Sequence, residues 1–170
     1  MQGDQVGSGY WHNPESTEAT FNGQLAQTAA GAPAGRWLRT GDLAVMYDDE
    51  LFIIGRLKDL LIVDGRNHYP DDIEATVVEI TGGRVAAIAI PDETTERLVV
   101  IAEVKANDPE LLRAMKQQLT AAVSRTHGVR VTDAMFVAPR SLPITTSGKV
   151  RRKSSAELYR SGQFRRLDDS

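Results

Sequence analysis

Short apolar runs alternate with longer helical segments from residue 60 onward, and this order limits the fold more than any other feature of the sequence. Strand-like runs cover 60–63, 85–90, 98–104 and 131–137, and helical segments begin at Pro70 and Pro109. A loop is predicted at 91–94, between two of the strands. The order strand-helix-strand-strand-helix-strand predicts an α+β fold, with a small three-to-four-stranded sheet flanked by helices.

The clearest helix is predicted over residues 109–126. Leu112, Met115 and Leu119 recur at helical spacing, and Gly128 stands just past the end, where a helix commonly terminates. After the last strand the chain becomes a polar loop and then a short basic helix near 154–159.

The N-terminal third has a different character. Residues 1–35 are rich in small and polar side chains and lack sustained apolar periodicity, which predicts irregular structure. Two β-prone runs, 43–47 and 51–54, flank a polar turn and predict a β-hairpin. We therefore expect an irregular segment plus a hairpin over 1–57, and a separate C-terminal domain over 58–170.

Composition excludes several classes of function. A length of 170 residues with 41% hydrophobic content suits one ordinary domain, or one domain and part of another. The net charge of −3 gives the whole chain no attraction to nucleic acid or anionic membrane. The sequence contains no run of about 18 apolar residues, so no membrane span is predicted. The lack of cysteine excludes a thiolate nucleophile and fits a cytoplasmic protein.

Metal binding is not predicted, because the three histidines, His12, His68 and His127, have no spacing typical of ligands. His68 is interpreted as a hydrogen-bonded or solvated loop residue rather than an acid-base catalyst, since no partner is visible beside it.

Three segments of the chain carry candidate chemistry. The first, residues 37–42, ends in Asp42, whose carboxylate can accept hydrogen bonds from the two adjacent hydroxyls of a ribose. The second comprises residues 55–59 and 65–74. The third, residues 142–149, is a polar loop that ends in Gly148 and Lys149.

Lys149 is the strongest candidate catalytic residue. An ammonium on a flexible stem, delivered by a glycine-containing loop, can neutralise the negative charge that builds on a transferring phosphoryl group. A Walker-type phosphate loop is the rival interpretation. It fails because Pro143 stands where that loop needs its first glycine and Val150 replaces the required Ser or Thr.

Together and in this order, the three segments resemble the last three motifs of the adenylate-forming superfamily. The superfamily includes acyl-CoA synthetases, fatty-acyl-AMP ligases, luciferases and peptide-synthetase adenylation domains. Residues 9–21 also resemble the stretch before the first of these motifs, so the resemblance covers nearly the whole chain. It implies that Lys149 is catalytic, that Asp42 and Arg56 bind the nucleotide, and that Lys58 is the hinge of a mobile C-terminal domain.

The resemblance also assigns a role to Gly65, Arg66, Asn67 and His68. It implies that they form a loop beside the channel taken by a phosphopantetheine arm, which a residue without Cβ can approach closely. The segment 67–70 is similar to the fatty-acyl-AMP ligase version of this motif. That version points to an acyl carrier protein as acceptor.

The implied function is therefore that of a fatty-acyl-AMP ligase. The full-length enzyme would use ATP and Mg²⁺ to activate a fatty acid as acyl-adenylate. It would then pass the acyl group to the thiol of an acyl carrier protein or polyketide synthase carrier domain. The resemblance implies that residues 1–57 are the end of the family's large N-terminal adenylation domain. The phosphate loop, acyl pocket and Mg²⁺ ligands of that domain have no counterpart in the sequence, so we expect a catalytically silent fragment.

Two alternatives stay open: an acyl-CoA synthetase fragment that uses CoA, and a non-catalytic lid or carrier-docking module. A basic cluster near the C-terminus is interpreted as a solvated face or a contact for an acidic carrier protein. It contains Arg151, Arg152, Lys153, Arg165 and Arg166.

Overall fold

The computed structural model describes residues 1–27, 31, 33–92 and 95–168. The chain divides into two compact units, Met1–Lys58 and Asp59–Ser170. The loop predicted at 91–94 lies partly outside the described residues.

The first unit contains a short helix and the predicted hairpin. Helix α1 (Pro14–Phe21) begins after Asn13, whose side chain accepts a hydrogen bond from the Ser16 N–H at 3.0 Å. Strands β1 (Asp42–Tyr47) and β2 (Glu50–Arg56) are antiparallel. They are joined at residues 48 and 49, which both have positive φ, as in the turns that best match the twist of a two-stranded hairpin.

The second unit is an α+β domain, and it confirms the predicted fold class and order of elements. A short 3-10 helix, Leu57–Asp59, leads into it. Its elements are β3 (Leu61–Val63), β4 (Arg66–His68), α2 (Pro70–Thr81), β5 (Val85–Pro91), β6 (Glu96–Glu103), α3 (Pro109–His127), β7 (Val131–Val137) and α4 (Arg152–Arg160).

The sheet of this domain has five strands rather than the three to four expected. Strand β6 pairs with β5 in antiparallel and with β7 and β3 in parallel orientation, and β4 pairs with β3 in antiparallel orientation. The additional strand is β4, which has only three residues, all polar. Its sequence therefore shows none of the apolar patterning by which strands are predicted.

Strand β6 divides the interior into two cores, because its side chains alternate between the faces of the sheet. Leu98 and Val100 lie in one core with residues of α2, α3 and β7. Val99 and Ile101 lie in the other, against which α4 packs. Among the helices in the described ranges, none has both the length and the apolar character needed to cross a bilayer.

Helices α2 and α3 end in the same way. Each is followed by a glycine in the left-handed region, Gly82 with φ 66° and Gly128 with φ 63°. A side chain there would be strained, which explains the glycine at both helix ends. The predicted end of the long helix at Gly128 is confirmed.

Ion pairs attach the C-terminal segment to α3 and β7. The Asp168 carboxylate accepts hydrogen bonds from the Lys116 ammonium at 2.7 Å, from Arg166 at 3.1 Å and from the Phe136 N–H at 3.1 Å. Arg166 also donates to both oxygens of Asp133, at 2.8 and 2.9 Å. Burial alone would raise the pKa of Asp168, but these hydrogen bonds outweigh it and lower the pKa below its usual value.

We expect Asp168→Asn to reduce the free energy of unfolding by about 2 kcal/mol at pH 7, because Lys116 and Arg166 lose their shared carboxylate. The pKa of Asp168 is lower in the folded chain than in the unfolded chain, where it is near 3.9. Its ionised carboxylate therefore stabilises the fold above the unfolded-state pKa, and this stabilisation is lost as the pH falls through the folded-state pKa. The difference between wild type and variant should therefore shrink in acid.

Urea unfolding followed by circular dichroism from pH 7 to pH 2 measures this difference. Glu79→Gln, at an exposed position of α2, is the matched control and should change stability little. A difference between wild type and Asp168→Asn that is independent of pH would contradict the prediction.

Candidate functional site

Asp42 and Arg56, predicted separately as nucleotide-binding residues, lie beside each other. Asp42 opens β1 and Arg56 closes β2, and the strand register places them opposite each other. The Arg56 Nε lies 3.2 Å from the Asp42 Oδ1, and the two side chains are 57% and 29% exposed. Both therefore retain capacity for a ligand, the carboxylate for hydroxyl donors and the guanidinium for an anion. A cavity of about 310 Å³ here is lined by Thr40, Gly41, Arg56, Leu57 and Lys58.

Lys58, the predicted hinge, is exposed within the 3-10 helix Leu57–Asp59. It is the last residue of the first compact unit. Its role as a hinge stays a prediction.

Gly65 occupies a tight turn between β3 and β4. Val63 pairs with Arg66, and the two residues between them, Asp64 and Gly65, have φ of 49° and 72°. An Asp-Gly pair with positive φ at both positions is the preferred two-residue hairpin turn. Apart from Gly65 and its two chain neighbours, no heavy atom of the described residues lies within 4 Å of a Cβ placed on Gly65. The backbone conformation thus accounts for the glycine, and its role beside a pantetheine channel stays a prediction.

The neighbouring residues differ in exposure. Arg66 and Asn67 are exposed, whereas His68 is partly buried. Burial, and then the charges of His127 and Arg66, lower the pKa of His68, while Asp64 opposes them. The imidazole is therefore mainly neutral at pH 7. Across the described ranges, no cluster of three or more histidine or acidic side chains could hold a metal ion.

Lys149 lies near the tip of a closed hairpin. The Thr145 N–H donates to the Lys149 carbonyl at 2.8 Å, and the Lys149 N–H donates to the Thr145 hydroxyl at 3.1 Å. Gly148, with φ 84°, donates its N–H to the Thr145 carbonyl at 2.9 Å. The Lys149 side chain is exposed, and among the described residues it pairs with no carboxylate. The hairpin therefore presents an uncommitted positive charge.

Buried contacts hold the base of this hairpin. The Arg151 N–H donates to the Pro143 carbonyl at 2.8 Å. The Leu142 N–H donates to the Glu103 carboxylate at 2.9 Å, and both residues are buried. Glu103, at the end of β6, thus uses a buried charge to fix the entry of the loop.

Arg152 is a functional candidate that the sequence placed only in a general basic cluster, with no specific role. It begins α4 and donates two parallel hydrogen bonds to Glu74, at 2.7 and 2.6 Å, and a third to Asp71 at 2.6 Å. The interpretation of the basic cluster as a solvated face is wrong for Arg152 and for Arg166, because both are held in ion pairs within the domain. The sequence feature that could have indicated a partner for Arg152 was the group of acidic residues in the first turn of α2.

The predicted site residues fall on both units. Asp42, Arg56 and Lys58 belong to the first unit, and the segment 65–68 and Lys149 belong to the second. In the described part of the chain, no hydrogen bond or ion pair joins Lys149 to residues 65–68.

Known proteins resemble this chain over most of its length. The sequence profile of the family described as Disco-interacting protein 2-like, AMP domain, matches residues 58–168. A Mycobacterium leprae protein named as a fatty-acid–CoA ligase, fadD21, is 58% identical over 174 residues. The long-chain-fatty-acid–AMP ligase FadD26 of Mycobacterium marinum is 56% identical over 172 residues. The alignments include 99% and 98% of this chain, which spans 30% of the length of either relative.

Two solved structures are similar as well. The fatty acid AMP ligase from Legionella pneumophila is 31% identical, with a TM-score of 0.53 over 99% of this chain and 30% of that one. The McyG A-PCP structure complexed with phenylalanyl-adenylate is 25% identical, with a TM-score of 0.76 over 95% of this chain and 24% of that one.

These matches confirm the resemblance to adenylate-forming enzymes that the three segments of the sequence indicated. The chain belongs to the Disco-interacting protein 2-like AMP-domain family of adenylate-forming enzymes.

Proposed function

We propose that this chain is the C-terminal part of an ATP-dependent fatty-acyl-AMP ligase, which activates a fatty acid as acyl-adenylate and releases pyrophosphate. The observation that carries the proposal is the Lys149 hairpin, which holds an exposed, uncommitted ammonium on a loop closed by its own hydrogen bonds. The name of the relative FadD26, a long-chain-fatty-acid–AMP ligase, supports the substrate class.

Lys149 acts on the charge of the reaction. When a fatty-acid carboxylate attacks the α-phosphate of ATP, negative charge builds on the transferring group, and a fixed ammonium stabilises that charge. Mg²⁺ would neutralise further phosphate charge when bound. The described residues of this chain offer no cluster of three or more histidine or acidic side chains that could hold it.

Asp42 and Arg56 would hold the nucleotide. The Asp42 carboxylate can accept hydrogen bonds from the ribose hydroxyls, and Arg56, which already orients that carboxylate, can donate to an anionic oxygen. The pair therefore fits ATP by the chemistry of its donors and acceptors. Lys58 would serve as the hinge that moves the second unit between the two half-reactions.

An acyl carrier protein is the proposed acceptor. The segment 67–70, which resembles the fatty-acyl-AMP ligase version of its motif, supports this choice. So does the similarity to the McyG A-PCP structure. CoA is the second candidate, and it is favoured by the name of the relative fadD21, a fatty-acid–CoA ligase. A cytoplasmic location is part of the same proposal.

Lys149→Ala in the full-length protein should reduce adenylate formation by about 10²- to 10³-fold, because it removes one preorganised charge from the transition state. Pyrophosphate release measures the rate. Lys105→Ala, at an exposed position after β6, is the control and should retain full activity. An unchanged rate for Lys149→Ala would reject the catalytic role of Lys149. Absence of adenylate formation by the wild-type full-length protein would reject the proposed function in favour of a non-catalytic module.

Gly65→Leu should impair acyl transfer to the acceptor thiol while sparing adenylation, because a side chain at this turn would obstruct a pantetheine arm. The matched control is Gly128→Leu, which imposes the same left-handed strain at the end of α3. Single-turnover assays of each half-reaction separate the two effects. Equal loss of transfer in both variants would show that backbone strain, rather than the channel, causes the defect.

The acceptor is identified by incubating the full-length protein with lauroyl-AMP and either CoA or a phosphopantetheinylated acyl carrier protein. We expect lauroyl thioester on the carrier protein and little lauroyl-CoA. Mass spectrometry of the protein and thin-layer analysis of the CoA product quantify the two. A dominant lauroyl-CoA product would favour the second candidate.

A further inference from the structure

Arg152 connects the element that follows Lys149 to a distant helix. Its guanidinium forms a bidentate pair with Glu74 of α2, at 2.7 and 2.6 Å, and donates to Asp71 at 2.6 Å. The Arg152 and Glu74 side chains are only 21% and 14% exposed. A paired, planar guanidinium in this setting has a defined orientation, unlike a solvated lysine or arginine.

Glu74 is itself fixed to the sheet. Its Oε1 accepts a hydrogen bond from the Ala87 N–H of β5 at 3.0 Å, in addition to the bond from Arg152. The carboxylate therefore joins α2, β5 and α4. A shift of Arg152 would disturb contacts with both the helix and the sheet.

The connection from Arg152 back to Lys149 is short and hydrogen-bonded. Only residues 150 and 151 lie between them. Val150 pairs with Ile144 across the hairpin, and the Arg151 N–H donates to the Pro143 carbonyl at 2.8 Å. Both intervening residues are thus held by backbone contacts across the hairpin, which connect the start of α4 to Lys149.

We propose that Arg152 is a positioning residue for Lys149: its ion pair with Glu74 and Asp71 fixes the Lys149 hairpin on the domain in the geometry required for adenylation. The inference rests on the proposed function of Lys149. Arg152 itself need not touch the substrate.

Asp59 extends this arrangement toward the proposed hinge. Its carboxylate lies 3.8 Å from the Arg152 Nη1, and it directly follows Lys58 in the chain. The guanidinium that fixes the hairpin is thus also close to the first residue of the second unit.

A double-mutant cycle in the full-length protein tests the inference. Arg152→Ala should lower kcat for pyrophosphate release by about 10- to 100-fold with little change in KM for ATP, as expected when a catalytic group is displaced by about 1 Å. Added to Lys149→Ala, the same substitution should cost almost nothing more. Acyl transfer from preformed lauroyl-AMP should be retained, since that half-reaction does not need the Lys149 charge.

Three further variants separate positioning from general stability. Arg152→Lys keeps the charge but loses the bidentate fork, and should show an intermediate kcat. Glu74→Gln keeps an acceptor for the Ala87 N–H but removes the charge that pairs with Arg152. This variant tests the inference if Arg152→Ala does not fold. Arg113→Ala, an exposed arginine of α3, is the charge-matched control and should retain full activity.

The outcomes are distinct. Additive losses in the cycle, or equal loss of adenylation and acyl transfer, would overturn the inference while leaving the role of Lys149 intact. Unchanged adenylation in Lys149→Ala would overturn the catalytic role of Lys149 and this inference with it, whereas absence of adenylation by the wild-type protein would overturn the proposed function. A loss of kcat that disappears in the Lys149→Ala background supports both.

Discussion

The burial of β6 on both faces is the constraint on which the rest of the second unit depends. Leu98 and Val100 point into one core and Val99 and Ile101 into the other, and all four are almost fully buried. A strand of this kind is stable only when both faces are covered, here by α2 and α3 on one side and by α4 on the other. The need to cover both faces of β6 therefore determines where the helices, and the loops between them, lie.

Two carboxylates link this framework to the functional loop. Glu103, at the end of β6, binds the entry of the Lys149 hairpin, and Glu74, bonded to β5, binds Arg152 at its exit. Buried charges are costly unless they are paired. Arg152 pairs with Glu74, whereas Glu103 has Arg84 at 3.5 Å as its charge partner and the Leu142 N–H as a further donor. The polar loop is thus fixed at both ends by the apolar core, and this explains how an exposed lysine can have a defined position.

Patterns of apolar residues predicted the fold well, but they did not predict which charged side chains pair with each other. The periodicity of residues 109–126 and the alternation of strands and helices were sufficient for the α+β domain, and the bounds of β5 and β6 were predicted to within two residues. Strand β4 was missed because its residues are all polar. The pairing of Asp42 with Arg56 depends on a register that shifts between Leu43 and Ala44, and spacing alone does not reveal such a shift. The partner of Arg152 lies 78 residues away, so no local pattern indicates it.

The β1–β2 hairpin has a different kind of stability. Its apolar side chains, among them Val45, Tyr47 and Ile53, are largely exposed, and a two-stranded sheet without a covered face is only marginally stable. The backbone amides of this hairpin should exchange with solvent through local opening, whereas those of β6 should exchange only on global unfolding. Both tryptophans, Trp11 and Trp37, belong to the first unit. Tryptophan fluorescence therefore reports the first unit, whereas circular dichroism reports both units, and one free energy of unfolding does not describe the whole chain.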